Sequence, residues 1–314
     1  MIHVACAADA NYLPHCATML QSLLDHHPGT GTCVHFLHPQ ELDGAARAAL
    51  ERLVTQRGAT FRSHAFTADD VAGLTHWPGL PRVMWYRVFL AERLPELDRI
   101  LYLDADTIVL DDLRPLWQRE LGGAWLAAVT NVLPKAFAGH AASLGLAPEA
   151  YFNSGVMLLN LARMRAEGAA RRLLEHGRAQ ASRFPDQDAL NLLCHADRVA
   201  LEPRWNCSNG VFLLPEARAL FGAAAVDAAK ARPAIVHFEG PGPGKPWHYL
   251  SKHPHQAQYL KYRAQTPWPL AGLEGRTWHN RLLRLLPTLQ MLEVLALEQR
   301  ARRWLRSAVA SPPR

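Results

Sequence analysis

Three features of the sequence predict an α/β fold with a doubly wound, mostly parallel sheet. Short apolar runs rich in Val, Ile and Phe alternate with helical patterns from the N-terminus onward. Hydrophobic residues make up 49% of the 314 residues, enough for a sizeable core. One of the most apolar runs, DRILYLDADTIVLDDL from Asp98 to Leu113, carries two acids near its middle, where an open α/β sheet ends a strand and places its ligands.

Taken in order, IHVACAA reads as a first strand. It has no basic segment before it and meets Asp9 after a short apolar run, so it does not fit a signal peptide. LPHCATMLQSLLDHH follows as a helix, TCVHFLHP as a strand, ELDGAARAALERLVTQRG as a helix and ATFRSHAF as a strand. That β-α-β-α-β order puts helices on both faces of the sheet. Further strands are expected at Ile100 to Leu103, Trp125 to Thr130, Val156 to Leu159 and Ala234 to Phe238, and further helices at Tyr86 to Glu92, Leu161 to Gln180 and Gln187 to Cys194. Pro and Gly crowd Glu239 to Trp247 (EGPGPGKPW), which must be a loop. A second break, TPWPLAGLEG, separates a body of residues 1–265 from a C-terminal segment, 266–314.

The net charge of +6 is not spread over the chain. From Arg276 to Arg314 there are eight Arg and two Glu, leaving 26 bases against 26 acids in residues 1–275. A nucleic-acid-binding face would distribute its bases over a folded surface, so no nucleic-acid partner is expected. Five scattered cysteines without a CxxC pair fit reduced thiols, and no apolar stretch reaches the ~18 residues of a membrane span. A cytoplasmic location is expected.

The chemistry concentrates at strand ends. On a strand, Asp104 and Asp106 point to one face ~6.6 Å apart and can share a cation. Two such carboxylates are costly together unless a metal compensates them, and their hard oxygens suit Mg²⁺ or Mn²⁺. A DxD alone is short and also fits turn acids or helix caps. Asp9 and Asn11 close the first strand (AADANY), ahead of a helix that either of them could cap or that could take a polar ligand. YFNSGVMLLNL places Asn153, Ser154 and Gly155 before an apolar strand, FPDQDALN places Asp186, Gln187 and Asp188 at a helix start, and HFEGPGPGKPWH ends a strand in His237 before a loop carrying Gly240 and Lys245.

In chain order, AADANY, MWYRVFLAERLPELDRILYLDADTIVLDDLRPLW, YFNSGVMLLNL, FPDQDALN and HFEGPGPGKPWH, over roughly Met1 to Leu250, resemble a retaining glycosyltransferase of family 8. That is the group of bacterial lipopolysaccharide glucosyl- and galactosyltransferases, with glycogenin as a more distant cousin. The resemblance implies a GT-A type fold and a donor UDP-hexose. It implies that Asp104, Asp106 and His237 chelate Mn²⁺, with Mg²⁺ as the alternative, a mixed carboxylate and imidazole set favouring Mn²⁺. Ala8, Asp9, Asn11 and Tyr12 would line the uridine, Ala105 would lie beside the metal acids, Arg87 and Gly240 would approach the phosphates, and Lys245 would neutralise the departing diphosphate. Asn153, Ser154, Asp186, Gln187 and Asp188 would surround the sugar. The loop departs from the family's pattern by two extra residues between His237 and Lys245.

Departure of UDP builds negative charge that a metal and Lys245 would stabilise. Retention would come either from a covalent step on Asp186, Asp188 or the Gln187 amide, or from same-face attack by the acceptor, which is preferred. The tail, RTWHNRLLRLLPTLQMLEVLALEQRARRWLRS, has Leu282, Leu285, Leu286, Leu289, Leu292 and Leu295 interleaved with Arg, and Trp278 and Trp304 at its flanks. It reads as a basic amphipathic segment on an anionic membrane surface, which suits a lipid-linked saccharide acceptor and a peripheral site on the inner face of the membrane. A helix packed on the protein is the other expectation for it. Two other functions were weighed. LDADTIV also fits a haloacid-dehalogenase-type phosphatase, with Asp104 as nucleophile, and the whole chain also fits a non-catalytic sugar-nucleotide-binding scaffold.

Overall fold

The computed structural model describes residues 1–29, 31–75, 81–179, 182–287, 290–291, 293–295 and 297–298. The chain runs through β1 (Ile2–Ala7), α1 (Leu13–His26), β2 (Thr32–Pro39), α2 (Gly44–Thr55), β3 (Thr60–Phe66), β4 (Arg99–Leu103), β5 (Thr107–Val109), β6 (Leu126–Thr130), β7 (Phe152–Asn160), α3 (Ala169–Ala179), α4 (Pro185–Cys194), β8 (Arg198–Ala200), β9 (Cys207–Ser208) and β10 (Ile235–His237). Among the described residues, seven strands form one sheet in the order β3-β2-β1-β4-β7-β6-β8, and β5, β10 and β9 form a small second one. β1 is parallel to β2 and β4, β2 to β3, and β6 to β8, whereas β7 runs antiparallel to both β4 and β6.

Alternation along β1 divides the core. Val4 and Cys6 face a cluster built with Leu20 and Leu24 of α1 and Leu50 and Val54 of α2. Ala5 and Ala7 face the opposite one, which holds Trp85, Tyr86, Leu173 of α3 and Leu190 of α4. The five cysteines are buried and free.

The first five elements lie where the periodicity predicts them. Of the later ones, β4, β6, β10 and α4 fall within two residues of their expected bounds, and the others differ. The helix expected at Tyr86 to Glu92 is a 3-10 helix over Arg82–Phe89 followed by one α-turn, Leu90–Arg93. The single helix expected from Leu161 is two, Leu161–Ala166 and α3, because Gly168 takes a positive φ of 61° between them. Gln180, its expected end, lies outside the described residues. Asn153, Ser154 and Gly155 lie inside β7 rather than ahead of it. Asp104 and Asp106 are not on a strand at all. β4 stops at Leu103, and a turn joins it to β5, with Thr107 N and Oγ1 donating to Asp104 O at 3.3 and 2.8 Å. The two carboxylates converge through that turn, not through strand alternation.

Contacts divide the chain into two compact units, Met1–Glu239 with Lys261–Pro269, and Gly240–Leu260 with the described residues from Leu270 onward. In the second unit α5 (Trp278–Leu283) is capped by Thr277 Oγ1, which accepts from Asn280 N at 3.1 Å. Leu283 and Met291 pack on Leu250, with Tyr249, Leu286, Val294 and Leu295 around them. Trp278, Leu282 and Leu285 instead stand 75%, 58% and 81% exposed. Leu289, Leu292 and Trp304 of the expected amphipathic pattern lie outside the described residues.

Gly177, inside α3, is where helix propensity and packing conflict. Ala would be worth ~1 kcal/mol there by propensity, yet a Cβ would meet the Trp85 ring at 2.3 Å. Trp85 is fully buried and its indole N–H donates to Thr75 O at 2.9 Å, so it cannot swing aside freely. Gly177→Ala is expected to destabilise the fold by about 1–3 kcal/mol in urea unfolding; a gain in stability would mean that the indole seat is loose.

Candidate active site

Two antiparallel pairings assemble the site at one end of β4. Leu103 of β4 is opposite Val156 of β7, so the residues before Val156 lie beside the residues after Leu103. Asp104 N accordingly donates to Gly155 O at 2.7 Å. In the small sheet His237 of β10 is opposite Thr107 of β5, and Phe238 N donates to Asp106 O at 3.0 Å. The imidazole therefore arrives next to the turn. His237 Nε2 is 3.3 Å from Asp106 Oδ1 and 3.8 Å from Asp104 Oδ2. Gly155 makes room for this meeting, since a Cβ there would lie 2.3 Å from His237 Cε1 and 2.7 Å from Asp104 Oδ2.

The donor set fits a divalent metal. One ligand atom from each of Asp104, Asp106 and His237 falls within 4.8 Å of the others. Asn206 Nδ2 donates to Asn153 Oδ1 at 2.8 Å, which leaves its Oδ1 to accept from His237 Nδ1 at 3.0 Å. The Nε2 lone pair then faces the carboxylates, the usual way an outer partner fixes a metal-binding tautomer. Burial opposes charging this imidazole, but Asp106, Asp104 and Glu239 outweigh it and raise its pKa. A cation would take the place of that proton.

Beside this cluster lies a buried guanidinium. Arg87 donates through Nη2 to Asp104 Oδ1 at 2.8 Å and through Nη1 to Ser154 O at 2.7 Å and Ser154 Oγ at 3.2 Å, while Nε donates to Met84 O at 3.0 Å. Its Nε also lies 3.2 Å from Asp186 Oδ2, and the guanidinium stacks 4.4 Å over the Tyr102 ring. Burial disfavours its charge, yet Asp104, Tyr102, Asp186 and Asp106 more than restore it and raise its pKa. Burial also pushes the Asp186 carboxyl up to about 6, against Arg87 and with Asp104. Asp186 Oδ2 makes no hydrogen bond among the described residues.

Gln187 and Asp188 begin a chain of hydrogen bonds. Gln187 Oε1 accepts from Ser154 N at 3.0 Å, and its Nε2 donates to the Tyr151 hydroxyl at 2.9 Å. Tyr151 donates in turn to Asp188 Oδ1 at 2.6 Å, where His140 Nε2 also lies 2.9 Å away, and Ser182 donates to Asp188 Oδ2. Asp188 is fully buried and engaged on both oxygens. Asn153 Nδ2 donates to Glu239 Oε2 at 3.0 Å and its Oδ1 accepts from Gly155 N at 2.9 Å.

Asp9 Oδ1 accepts from Tyr12 N at 2.9 Å, so it caps the turn entering α1. Ala8 is buried, Asn11 is exposed, and the Tyr12 ring meets His15 edge-on at 5.4 Å. Ala105 is buried in the turn between Asp104 and Asp106. Gly240, with φ of 78°, and Lys245 belong to the second unit, where the ammonium lies 5.3 Å from the Trp247 ring. Sequence reasoning missed Tyr102, His140, Tyr151, Asn206 and Glu239. Of these, Tyr102, Tyr151 and Glu239 lay within segments already singled out, and His140 and Asn206 did not.

A mostly parallel sheet with carboxylates and an imidazole gathered at a strand end is the architecture of a GT-A glycosyltransferase. Residues 3–251 match the pattern described as Glycosyl transferase family 8, and the chain belongs to that family. It is 25% identical to General stress protein A of Bacillus subtilis over 87% of this chain and 96% of the relative. It is 24% identical to the lipopolysaccharide glucosyltransferase WaaO of Escherichia coli over 90% and 83%. Among solved structures it superposes on the galactosyltransferase LgtC in complex with donor and acceptor sugar analogues, with a TM-score of 0.73, 25% identity and coverage of 86% and 98%. An active-site glutamine-to-glutamate variant of LgtC superposes with a TM-score of 0.74. The enzyme is a glycosyltransferase; these matches do not favour a phosphatase.

Removing Arg87 would leave two acids without their shared cation. Arg87→Met is expected to destabilise the chain by about 3–5 kcal/mol in urea unfolding, and Arg87→Lys, which keeps a charge without the fork, by less. A Met variant as stable as the parent would show that solvent already screens the pair.

Proposed function

We propose that the chain is a retaining hexosyltransferase that moves galactose or glucose from a UDP-sugar to a saccharide acceptor, of the lipopolysaccharide kind or another lipid-linked glycan. The observation that carries this reading is the cation-sized gap bounded by Asp104, Asp106 and His237, set against the buried Arg87 and Asp186. Mn²⁺ held there would bind the diphosphate oxygens and offset the charge that grows as UDP leaves. The relatives' names, a lipopolysaccharide glucosyltransferase and a galactosyltransferase, support the sugar class and the acceptor class.

The chain's own residues divide the work as follows. Asp9, Asn11 and Tyr12, with Ala8, are assigned to the uridine. Arg87 orients the donor and pairs with Asp104, and Lys245 neutralises the departing diphosphate, with Gly240 giving its loop backbone freedom. Asp186 and Asn153 hold sugar hydroxyls. Ser154 fixes Gln187, whose amide stands by the sugar, and Asp188 acts through Tyr151 as a positioning group. Engagement of Asp188 on both oxygens and of Asp186 by Arg87 argues against a carboxylate nucleophile and favours same-face attack by the acceptor.

Asp106→Asn is expected to abolish Mn²⁺-dependent UDP-sugar binding in calorimetry with an unchanged melting temperature. Unaltered affinity would remove the metal assignment, and a panel of UDP-hexoses scored for Mn²⁺-dependent release of UDP would identify the donor.

We assign the tail to an anionic membrane surface. No helix among the described residues is long and apolar enough to cross a membrane, and the exposed Trp278, Leu282 and Leu285 lie beside Arg281 and Arg284. Because Leu283 and Met291 pack on Leu250, truncation would open a core, so surface changes make the better test. Trp278→Ser with Leu285→Ser should cut sedimentation with anionic liposomes at low salt and leave UDP release intact. Equal sedimentation by parent and variant would end the assignment.

A further inference from the structure

A second group of metal-ligating side chains lies near the start of β1 and β2, away from the site after β4. His3 of β1 is opposite Cys33 of β2 in the parallel register, and His35 follows two residues later, so all three share one face. One ligand atom from each lies within 4.8 Å of the others. His3 Nδ1 is 3.0 Å from His35 Nε2, and Cys33 Sγ is 3.5 Å from the same nitrogen. A tetrahedral Zn²⁺ with bonds of about 2.05 Å to nitrogen and about 2.3 Å to sulfur spaces its ligands by roughly 3.3 Å for N and N and roughly 3.5 Å for N and S. The side chains are thus at near-coordinating separations without rearrangement.

The surroundings match as well. His35 Nδ1 lies 3.2 Å from His64 Nε2, and in the tautomer where His64 accepts the Nδ1 proton the Nε2 lone pair of His35 is directed at His3 and Cys33. Burial, reinforced by His64, His3 and Arg62, brings the His35 pKa down to about 3, which keeps that imidazole neutral. Cys33 and His35 are buried, and His3 is half-buried. Two imidazoles and a thiol make a softer set than the carboxylates at Asp104 and Asp106, and they favour Zn²⁺ over Mn²⁺.

We propose that His3, Cys33 and His35 form a second metal site that takes Zn²⁺, independent of the catalytic cluster, with water completing the coordination and His64 as the outer partner of His35. Binding breaks the Cys33 S–H bond and forms Zn–S, Zn–Nδ1 of His3 and Zn–Nε2 of His35. The thiol proton leaves to solvent, and the Nδ1 proton of His3 moves to Nε2 by tautomerisation. The ion joins β1 to β2 where they enter the sheet.

The test uses the full chain, stripped with a chelator and held in excess Mn²⁺ to occupy the carboxylate cluster. The parent is expected to retain one equivalent of Zn²⁺ after dialysis and to gain melting temperature. With Co²⁺ in place of Zn²⁺ it should show a near-ultraviolet sulfur-to-metal charge-transfer band. Cys33→Ser should lose the band and the retained ion, His3→Gln should lose the ion with an unchanged circular dichroism spectrum, and His64→Gln should weaken Zn²⁺ binding by roughly 10-fold or more. If the parent gives no such band, or if Zn²⁺ retention and the band survive in both Cys33→Ser and His3→Gln, the cluster is only a hydrogen-bonded run of neutral imidazoles and the site does not exist.

Discussion

Everything at the active site depends on where the charge of Arg87 goes. Asp104 is one of the acids that could hold a cation, and Asp186 lies buried close by, so the two carboxylates share the one guanidinium that lies between them. A guanidinium can serve both because its nitrogens diverge in a rigid fork. Here Nη2 goes to Asp104, Nη1 to Ser154 and Nε faces Asp186. The Tyr102 ring supports it from one face. The metal acids are therefore ordered from behind by a fixed protein charge, which cuts the reorganisation that binding a donor would otherwise demand.

From Ser154 a second constraint runs outward. Its backbone N–H holds the Gln187 amide, whose other end holds Tyr151, which holds Asp188. Each member needs the orientation of the one before it, so the Gln187 amide cannot flip without breaking a buried hydrogen bond. Burial raises the pKa of the Tyr151 phenol far above its ordinary value, and Asp188 adds to that, which keeps the hydroxyl a donor at all ordinary pH. Asp188 is thereby committed to structure, although a sequence reading alone sees one more acid at a helix start.

Much of this was legible in the sequence and some of it was not, for reasons of separation along the chain. β1 to β3 with α1 and α2 carry strong local periodicity, and β2 falls on the expected residues, Thr32 to Pro39. Asp104, Asp106, His237, Arg87, Asp186 and Gln187 sit in recognisable segments. β5, β8 and β9 are two or three residues long and exist only because a partner strand is present, so no local pattern announces them. Asn206 and Tyr151 are ordinary residues until the fold brings them to His237 and Asp188, which lie 31 and 37 positions away. The same holds for His3, Cys33 and His35, which no spacing rule for metal ligands would connect.

The reversal of β7 explains why paired acids can follow so apolar a run. In an all-parallel sheet the neighbour of β4 would also end beside Asp104, and its own carboxyl-end loop would crowd the site. Because β7 is antiparallel, its first residues arrive there instead, already in extended backbone, and Leu103 opposite Val156 fixes which ones they are. The position beside Asp104 then falls to Gly155, where any side chain would strike His237. β5 folds back from the turn to pair with β10 and carries the imidazole in from the other side. A one-residue slip in either pairing would exchange Gly155 for Ser154 or His237 for Val236 at the cation. The apolar runs on β4 and β7 thus set the register, and the register sets the ligands: Leu101, Leu103, Val156 and Leu158 fill the core on one face and Ile100, Tyr102, Met157 and Leu159 the core on the other, so a slip would exchange side chains of different size and shape between two packed cores. The cost of repacking both is what keeps two carboxylates and a histidine within reach of one another.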